Sequence, residues 1–527
     1  MRGLFFQSLA PVVTSDPLRT DVACFVGFVR RRTAHSEPDP LEPMPDVIAT
    51  WLRERGWTQG PFARSTAAEL RDVPVPVDSW EAFDRLFAWE ERERDPAGLR
   101  VGTYLGASVR SFFTEGGRKC YVVRVGDPRP LAELRDHVAE DLRALLPFDA
   151  AGRFSASPED RSSWHGAAHL LGLDDVSILC LPDLPDLVRA DATPPALPQP
   201  ELETLREQFV ECSTLTPRSD EDEDEDTDRR APVGPAAPRC DGPAYVSWVR
   251  IVAALTRDLI ARHRRDVQLV AALPLPTSPA ALTEVEQRWL RRPIGPALRP
   301  DSTPEGGIAS AFVQLAYPWL RTRGSTSLPE ALESPDGCLA GLIARTALSR
   351  GTFRSAAGER PLDLITLEPL LRPERRTRLE PRVSLFGPSP SGWTLLTDHT
   401  TSADPGYRPA AVSRLIGLLL RAARRVGEEL CFEPSGERLW SGLTSRLESL
   451  LETLYRLGAL AGARPSDAFD VRCDRTTMTQ ADVDQGRVIA VVRVQPALPL
   501  ASIHVVLALD EGGRVSLAET RPEQEAA

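Results

Sequence analysis

The sequence predicts an α/β fold followed by a smaller α+β unit, on three observations. Between residues 120 and 318, short apolar runs alternate with amphipathic helical patterns, as in a buried parallel sheet crossed by helices. Three of those runs end at proline, which lacks the N–H needed to continue a ladder, so the chain turns off the sheet there. From residue 410 the texture changes to two long amphipathic helices and then strands.

In chain order, "CYVVRV" (120–125) reads as a strand and "PLAELRDHVAEDLRALL" (130–146) as a periodic helix. "DVSILCLPDL" (175–184) is a buried strand ending in Pro-Asp. "AYVSWVRIVAALTRDLIARH" (244–263) is a helix, "DVQLVAALPLP" (266–276) the next strand and "AFVQLAYP" (311–318) another. Residues 34–78 form a proline-rich irregular stretch containing a helix at 45–57. Residues 185–243 hold "ATPPALPQP", an acidic tract and "RRAPVGPAAPRCDGP", the composition of a solvated surface insertion, with a short helix at 201–212. In the C-terminal unit, Trp440, Leu443, Leu447, Leu450, Leu454 and Leu457 make one apolar stripe, and Gly458 supplies the helix stop. Strands at 468–474 and 486–496 and a hairpin at 503–517 complete it.

The length, 527 residues, predicts two or three domains, and 42% apolar content supports a sizeable core. The formal charge is −12, but eight acids lie in the tract from Asp220 to Asp228, and the remainder is only mildly acidic. That is no nucleic-acid footprint. The tract itself reads as a self-repelling, solvated loop. Eight cysteines lie scattered with no C-x-x-C pair, which predicts reduced, mostly buried thiols and a cytoplasmic protein. No apolar run is long enough to span a bilayer, so membrane insertion is not expected. The start, "MRGLFFQSLAPVVTSD", is interrupted by Gln7, Ser8 and Pro11 and does not read as a signal peptide. The chain has one lysine, Lys119, and no asparagine, so any motif containing Asn must appear substituted.

Chemistry-bearing residues are sparse. His165 and His169 have i,i+4 spacing but no third ligand nearby in sequence, so surface or capping histidines are the better account. Asp174–Asp175, and Asp482 with Asp484, read as turns and caps rather than paired catalytic carboxylates. Two "EGG" turns (115–117 and 305–307) lack the G-x-x-x-x-G-K context of a phosphate cradle. Arg421, Arg424 and Arg425 sit on the polar face of a helix, solvated or facing another protein's acidic surface. We expect no catalytic residue, metal or cofactor. A hydrolase on a doubly wound scaffold would require a convergent polar pocket at the strand ends, where this chain carries Pro-Asp and Pro-Trp.

Two inert, well-shaped segments remain: "SAFVQLAYPWL" (310–320) and "PDGCLAGLIARTALSRGTFRSAAG" (335–358). With Tyr317, Pro318, Trp319, Gly337, Ala340, Gly341, Ala344, Arg345, Arg350, Gly351 and Gly358, they resemble the contractile tail sheath family of phages and bacterial injection systems. "DVACFVGFVRR" (21–31) resembles that family's first strand. "TYLGASVRSFFTEGGRKCYVVRV" (103–125), with Phe112, Phe113, Gly116 and Gly117, resembles its N-terminal motif, Glu115 standing at the usual Asn. "CFEPSGERLWSGL", "LYRLGALAGARPSDAFDVRCD" and "DVDQGRVIAVVRVQPALPLASIHV" match in order. Three features depart from the family: the N-terminal arm lacks Pro-Gly-Val-Tyr, "RSAAG" (354–358) replaces Ala-Pro-Ala-Gly, and 185–243 is outside the shared core.

The resemblance implies an N-terminal arm and first strand (1–33), an irregular insertion (34–78), a subtilisin-like sheath domain (79–400) and a C-terminal sheath domain with a terminal linking strand (401–527). It implies a structural subunit with no enzymatic role. Protomers would polymerise with themselves as stacked rings around an inner tube protein, joined by the strands at 4–10 and 503–517, between baseplate and cap proteins. A non-contracting adaptor, or a baseplate or cap paralogue, is the alternative.

Overall fold

The computed structural model describes residues 19–33, 44–92, 94, 100–190, 236–295, 306–430, 436–497, 503–509 and 515–517. Its strands, in order, are β1 (Ala23–Phe28), β2 (Pro74–Val77), β3 (Cys120–Gly126), β4 (Ile178–Cys180), β5 (Arg239–Cys240), β6 (Gln268–Ala272), β7 (Leu275–Pro276) and β8 (Val313–Tyr317). They continue as β9 (Trp319–Thr322), β10 (Leu364–Glu368), β11 (Ser384–Ser389), β12 (Gly392–Leu395), β13 (Phe469–Arg472), β14 (Val488–Val494), β15 (Ile503–Leu509) and β16 (Val515–Leu517).

Eight strands form one mixed sheet in the order β12-β11-β8-β6-β4-β1-β3-β2. The six inner strands pair in parallel, and β1, β3, β4, β6 and β8 are almost wholly buried, as continuous apolar runs require. Both edges are antiparallel: β2 pairs with β3 and β12 with β11. The first edge comes from a stretch that reads as irregular in sequence. "PVPV" offers Val75 and Val77 to the core, and its prolines are tolerated because an edge strand leaves alternate N–H groups unpaired. Helix Asp46–Glu54 of the same stretch buries Ile48 and Leu52.

Helix Gly242–Ala254 starts earlier than the apolar pattern suggests, because Asp241 accepts the Ala244 N–H at 2.9 Å and caps it. It widens into π-type turns over Leu255–Ile260. The surface insertion is narrower than 185–243. Pro185 and Leu187 are buried in a helical turn, and β5 pairs with β7, so both flanks pack; the acidic tract and residues 201–212 lie outside the described residues. So does the arm at 4–10.

A second hydrophobic cluster gathers helices Ala410–Leu430 and Glu437–Arg456 over an antiparallel sheet ordered β13-β14-β15-β16. The terminal hairpin strands therefore pair within their own chain, β15 along the full length of β14. The leucine stripe runs through Leu439, Trp440, Leu443, Leu447, Leu451 and Leu454; Leu450 is only partly buried and Leu457 is 57% exposed, a correction that follows from the 3.6-residue period. Gly458 has φ +75°, and the bonds Gly458 N–H to Tyr455 O and Ala459 N–H to Leu454 O close the helix as a Schellman motif. Six cysteines are described, all free and buried. Among the described residues, no helix is long and apolar enough to cross a membrane.

Candidate functional site: the Tyr317 strand junction and the adjoining helix pair

The Tyr-Pro-Trp sequence ends a central strand. β8 stops at Tyr317, the Tyr317–Pro318 peptide is cis, and Trp319 opens β9, which leaves the large sheet and pairs antiparallel with β10. Trp319 is fully buried; its Nε1 donates to Leu273 O at 3.1 Å and its ring meets Tyr104 edge-on at 5.2 Å. Burial pushes the Tyr317 phenol well up, and its hydroxyl has no hydrogen-bond partner. Such a residue is packing material rather than an acid or base.

Beside this junction, helices Leu105–Thr114 and Asp336–Arg350 meet backbone to backbone. A Cβ on Gly337 would sit 2.2 Å from Ser108 O, and one on Gly341 2.7 Å from Phe112 O. The Gly/Ala series in the sequence is thus a surface of close approach, with Ala340 and Ala344 buried. Gly116 turns the chain at φ +110°, and a Cβ on Gly117 would strike the Phe112 ring at 2.3 Å. Phe112 in turn packs edge-on against Phe25 at 5.5 Å and against Phe113 at 5.3 Å.

The helix ends are tied by charge. Glu115 accepts the Leu362 N–H at 2.7 Å and an Arg345 guanidinium N–H at 3.4 Å. Arg345 also reaches Glu359 at 3.1 Å and Arg360 O at 2.8 Å, and Arg350 pairs with Glu359. Gly351 ends the helix at φ +100°. Burial pushes Glu115 up to about 7 despite Arg345.

Sequence reading missed three buried carboxylates around the same helix. Asp183, from the Pro-Asp after β4, accepts Phe28 N (2.8 Å), Tyr104 N (2.6 Å), Leu105 N (3.3 Å) and Thr103 Oγ1 (3.1 Å), so it anchors the N-terminus of helix Leu105–Thr114. Glu333 accepts Ser111 Oγ at 2.6 Å and Thr322 Oγ1 at 2.9 Å, and Asp336 accepts Ser108 Oγ at 3.0 Å. Burial raises Glu333 to about 8 and Asp183 and Asp336 to about 6. The second Asp336 oxygen, Oδ2, is buried without a hydrogen-bond partner. Among the described residues, no group of three or more His, Cys, Asp and Glu is placed to hold a metal ion.

The histidines have a partner the sequence could not show. Asp72 receives His165 Nδ1 at 2.8 Å and His169 Nε2 at 3.0 Å, with Arg64 also on the carboxylate, clasping the chain before β2 to the turn at 166–172. Burial pushes Asp72 up, but the two histidine bonds and Arg64 more than offset it and hold the group well down. Burial lowers His169.

Of Arg421, Arg424 and Arg425 on helix Ala410–Leu430, the first two turn inward, whereas Arg425 stays part-exposed beside Glu429 of the same helix. Arg421 is buried and donates to Asp175 O at 3.2 Å, and Arg424 lies 3.4 Å from Asp266, itself bonded to the buried Arg264. Two turns before Arg421, Arg414 grips buried Asp398 at 2.6 and 3.1 Å, and Asp398 also accepts Gln314 Nε2 at 2.7 Å and Ala356 N at 2.9 Å. These bonds fasten the C-terminal unit to the sheet. Trp440 is buried in the core of that unit, its indole N–H unpartnered.

No protein-family model matches the chain, and no curated protein matches it. Solved structures do. A chain in the baseplate of the anti-feeding prophage in its contracted state is 17% identical, with TM-score 0.54, over 99% of this chain and 98% of that one. A chain of the six-fold symmetrised baseplate of the same particle gives 17% identity and TM-score 0.51 over 95% and 96%. One from the contracted sheath complex of the PVC extracellular contractile injection system gives 16% and 0.50 over 95% and 94%. Across nearly its whole length, this chain therefore has the fold of chains from contractile-sheath and baseplate structures, as the resemblance in its sequence implies.

Proposed function

We propose that the chain is a structural subunit of a contractile sheath. The carrying observation is fold likeness over 95% or more of this chain to chains of contractile injection particles. The buried acids and arginines serve helix contacts and the two-unit junction, which suits a structural subunit. The protomers polymerise as stacked helical rings around an inner tube, between baseplate and cap proteins. Contraction is a rigid-body movement of protomers from a kinetically trapped lattice into a better-packed one, without nucleotide. The large sheet is the subtilisin-like sheath domain and the helix–sheet unit from 401 is the C-terminal sheath domain. Its terminal strand serves in a linkage between protomers. A second reading, a specialised paralogue at the baseplate, is favoured by the two baseplate structures among the matches.

Electron microscopy of the chain co-expressed with its genomic neighbours separates the two. A sheath subunit gives tubes many rings long; a baseplate paralogue gives single rings of fixed height. Monodisperse monomers under conditions where a tube partner assembles would refute both.

A further inference from the structure

The seam between the large sheet and helix Ala410–Leu430 leaves one buried cation without a counter-charge. Arg264 sits on Asp266 through both carboxylate oxygens, each at 3.1 Å, and Arg414 sits on Asp398 at 2.6 and 3.1 Å. Arg421 has no such match. It is 6% exposed, it donates to the neutral Asp175 carbonyl at 3.2 Å, and its buried Nε has no hydrogen-bond partner. The carboxylates around it are taken. Asp266 also serves Arg424 at 3.4 Å, the Asp175 side chain holds Lys119 at 2.6 Å, Asp21 holds Arg19 at 2.8 Å, and Asp174 is exposed. A guanidinium removed from water without a counter-charge is costly.

Beside Arg421 is a cavity of about 20 Å³, lined by Gln268 of β6, by Ser413, Arg414 and Arg421 of the helix, and by Arg265 and Asp266. That volume holds one water-sized body. Gln268 is 5% exposed, and neither its Nε2 nor its Oε1 has a hydrogen-bond partner; Ser413 Oγ is likewise buried and unpartnered. The unpaired groups are mostly donors: the Gln268 amide N–H groups, the Arg421 Nε–H and the Ser413 hydroxyl, against a single amide oxygen. The local field is positive. Burial pushes Asp266 up, yet Arg264, Arg424 and Arg421 hold it at about 2, and burial brings Arg421 down to about 10, Asp266 opposing and Arg264 adding to the effect. We infer that this cavity binds one monatomic anion of chloride's class, held by Arg421 Nε–H, the Gln268 amide and the Ser413 hydroxyl. The ion supplies the charge that Arg421 lacks and ties the helix to β6, so attachment of the C-terminal unit to the sheet depends on halide. A water would meet the same donors but leave the guanidinium uncompensated, and sulfate or phosphate would exceed the space. The inference concerns the folded chain and stands apart from its assembly.

The test melts the full chain in sodium chloride and in sodium gluconate at equal ionic strength. Above an onset concentration, chloride should raise the melting temperature by about 2 °C per tenfold increase, and bromide should replace it. Gln268→Glu places a carboxylate in the cavity, so it should gain nothing from chloride. Ser413→Ala removes one donor to the ion and should raise the onset concentration about tenfold. Should Gln268→Glu not fold, Ser413→Ala decides alone. A wild type equally stable in the two salts would overturn the inference and leave the cavity to water. Chloride stabilisation retained in full, with an unchanged onset, by either folded variant would also overturn it, placing the ion elsewhere.

Discussion

Two helix pairs in this molecule solve the same packing problem in opposite ways. Helices Leu105–Thr114 and Asp336–Arg350 touch through Gly337, Gly341 and alanines, with Glu333 and Asp336 buried against serines. Helices Ala410–Leu430 and Glu437–Arg456 instead hold each other through a leucine-rich core, and the first sends arginines into the sheet's flank. The first contact is fixed by backbone geometry, where a single methyl has no room. The second is fixed by apolar volume and by a few long polar tethers. The sheet region is thus packed at backbone contact, and long polar tethers join the C-terminal unit to it.

The largest effect is expected where the two regions join. Asp398→Ala strands the buried Arg414 guanidinium and should cost about 3–5 kcal/mol, seen as a lower urea midpoint. Next comes the contrast itself. Gly337→Val drives a side chain into Ser108 O and should cost about 3 kcal/mol, whereas Leu447→Met in the leucine core should cost under about 1.5 kcal/mol. Equal costs would abolish the distinction.

The buried acids add a pH signature. Glu333, Glu115, Asp183 and Asp336 all sit above the ordinary carboxylate range near 4, so the fold favours their protonated forms. Their stabilisation is complete below that range and is lost as pH rises through about 6 to about 8. Burial pushes Asp266 up, but Arg264, Arg424 and Arg421 hold it at about 2, so its contribution is present above the ordinary range and is lost only as pH falls toward 2. Melting temperature should thus decline from mildly acidic to mildly alkaline pH, and Glu333→Gln should flatten that slope. The smallest effect is at Leu457, where Leu457→Ser should change stability by no more than about 0.5 kcal/mol because the side chain faces water.

Local pattern was readable in the sequence and distant pairing was not. The period from Trp440 to Leu454 and the glycine at 458 define a helix and its stop, because those signals lie within a few turns of each other. The Tyr-Pro-Trp junction was legible because proline forbids the ladder. Glu333 and Ser111 are 222 residues apart, and Asp72 and His169 are 97 apart; no spacing rule joins them. The antiparallel edge β2 was hidden by its prolines, which an edge tolerates and a central strand does not. Arg421 and Arg424 read as part of a solvated polar face because the sequence does not show that Asp175 and Asp266 lie against them.

The most direct test of the account is a cryo-EM reconstruction of the chain assembled with its tube partner, before and after triggering. The account predicts a helical lattice in which the sheet region, from β1 to β12, superposes unchanged between the two states while protomers rotate against each other. Subunits that remain isolated, or a sheet that rearranges internally on triggering, would contradict it.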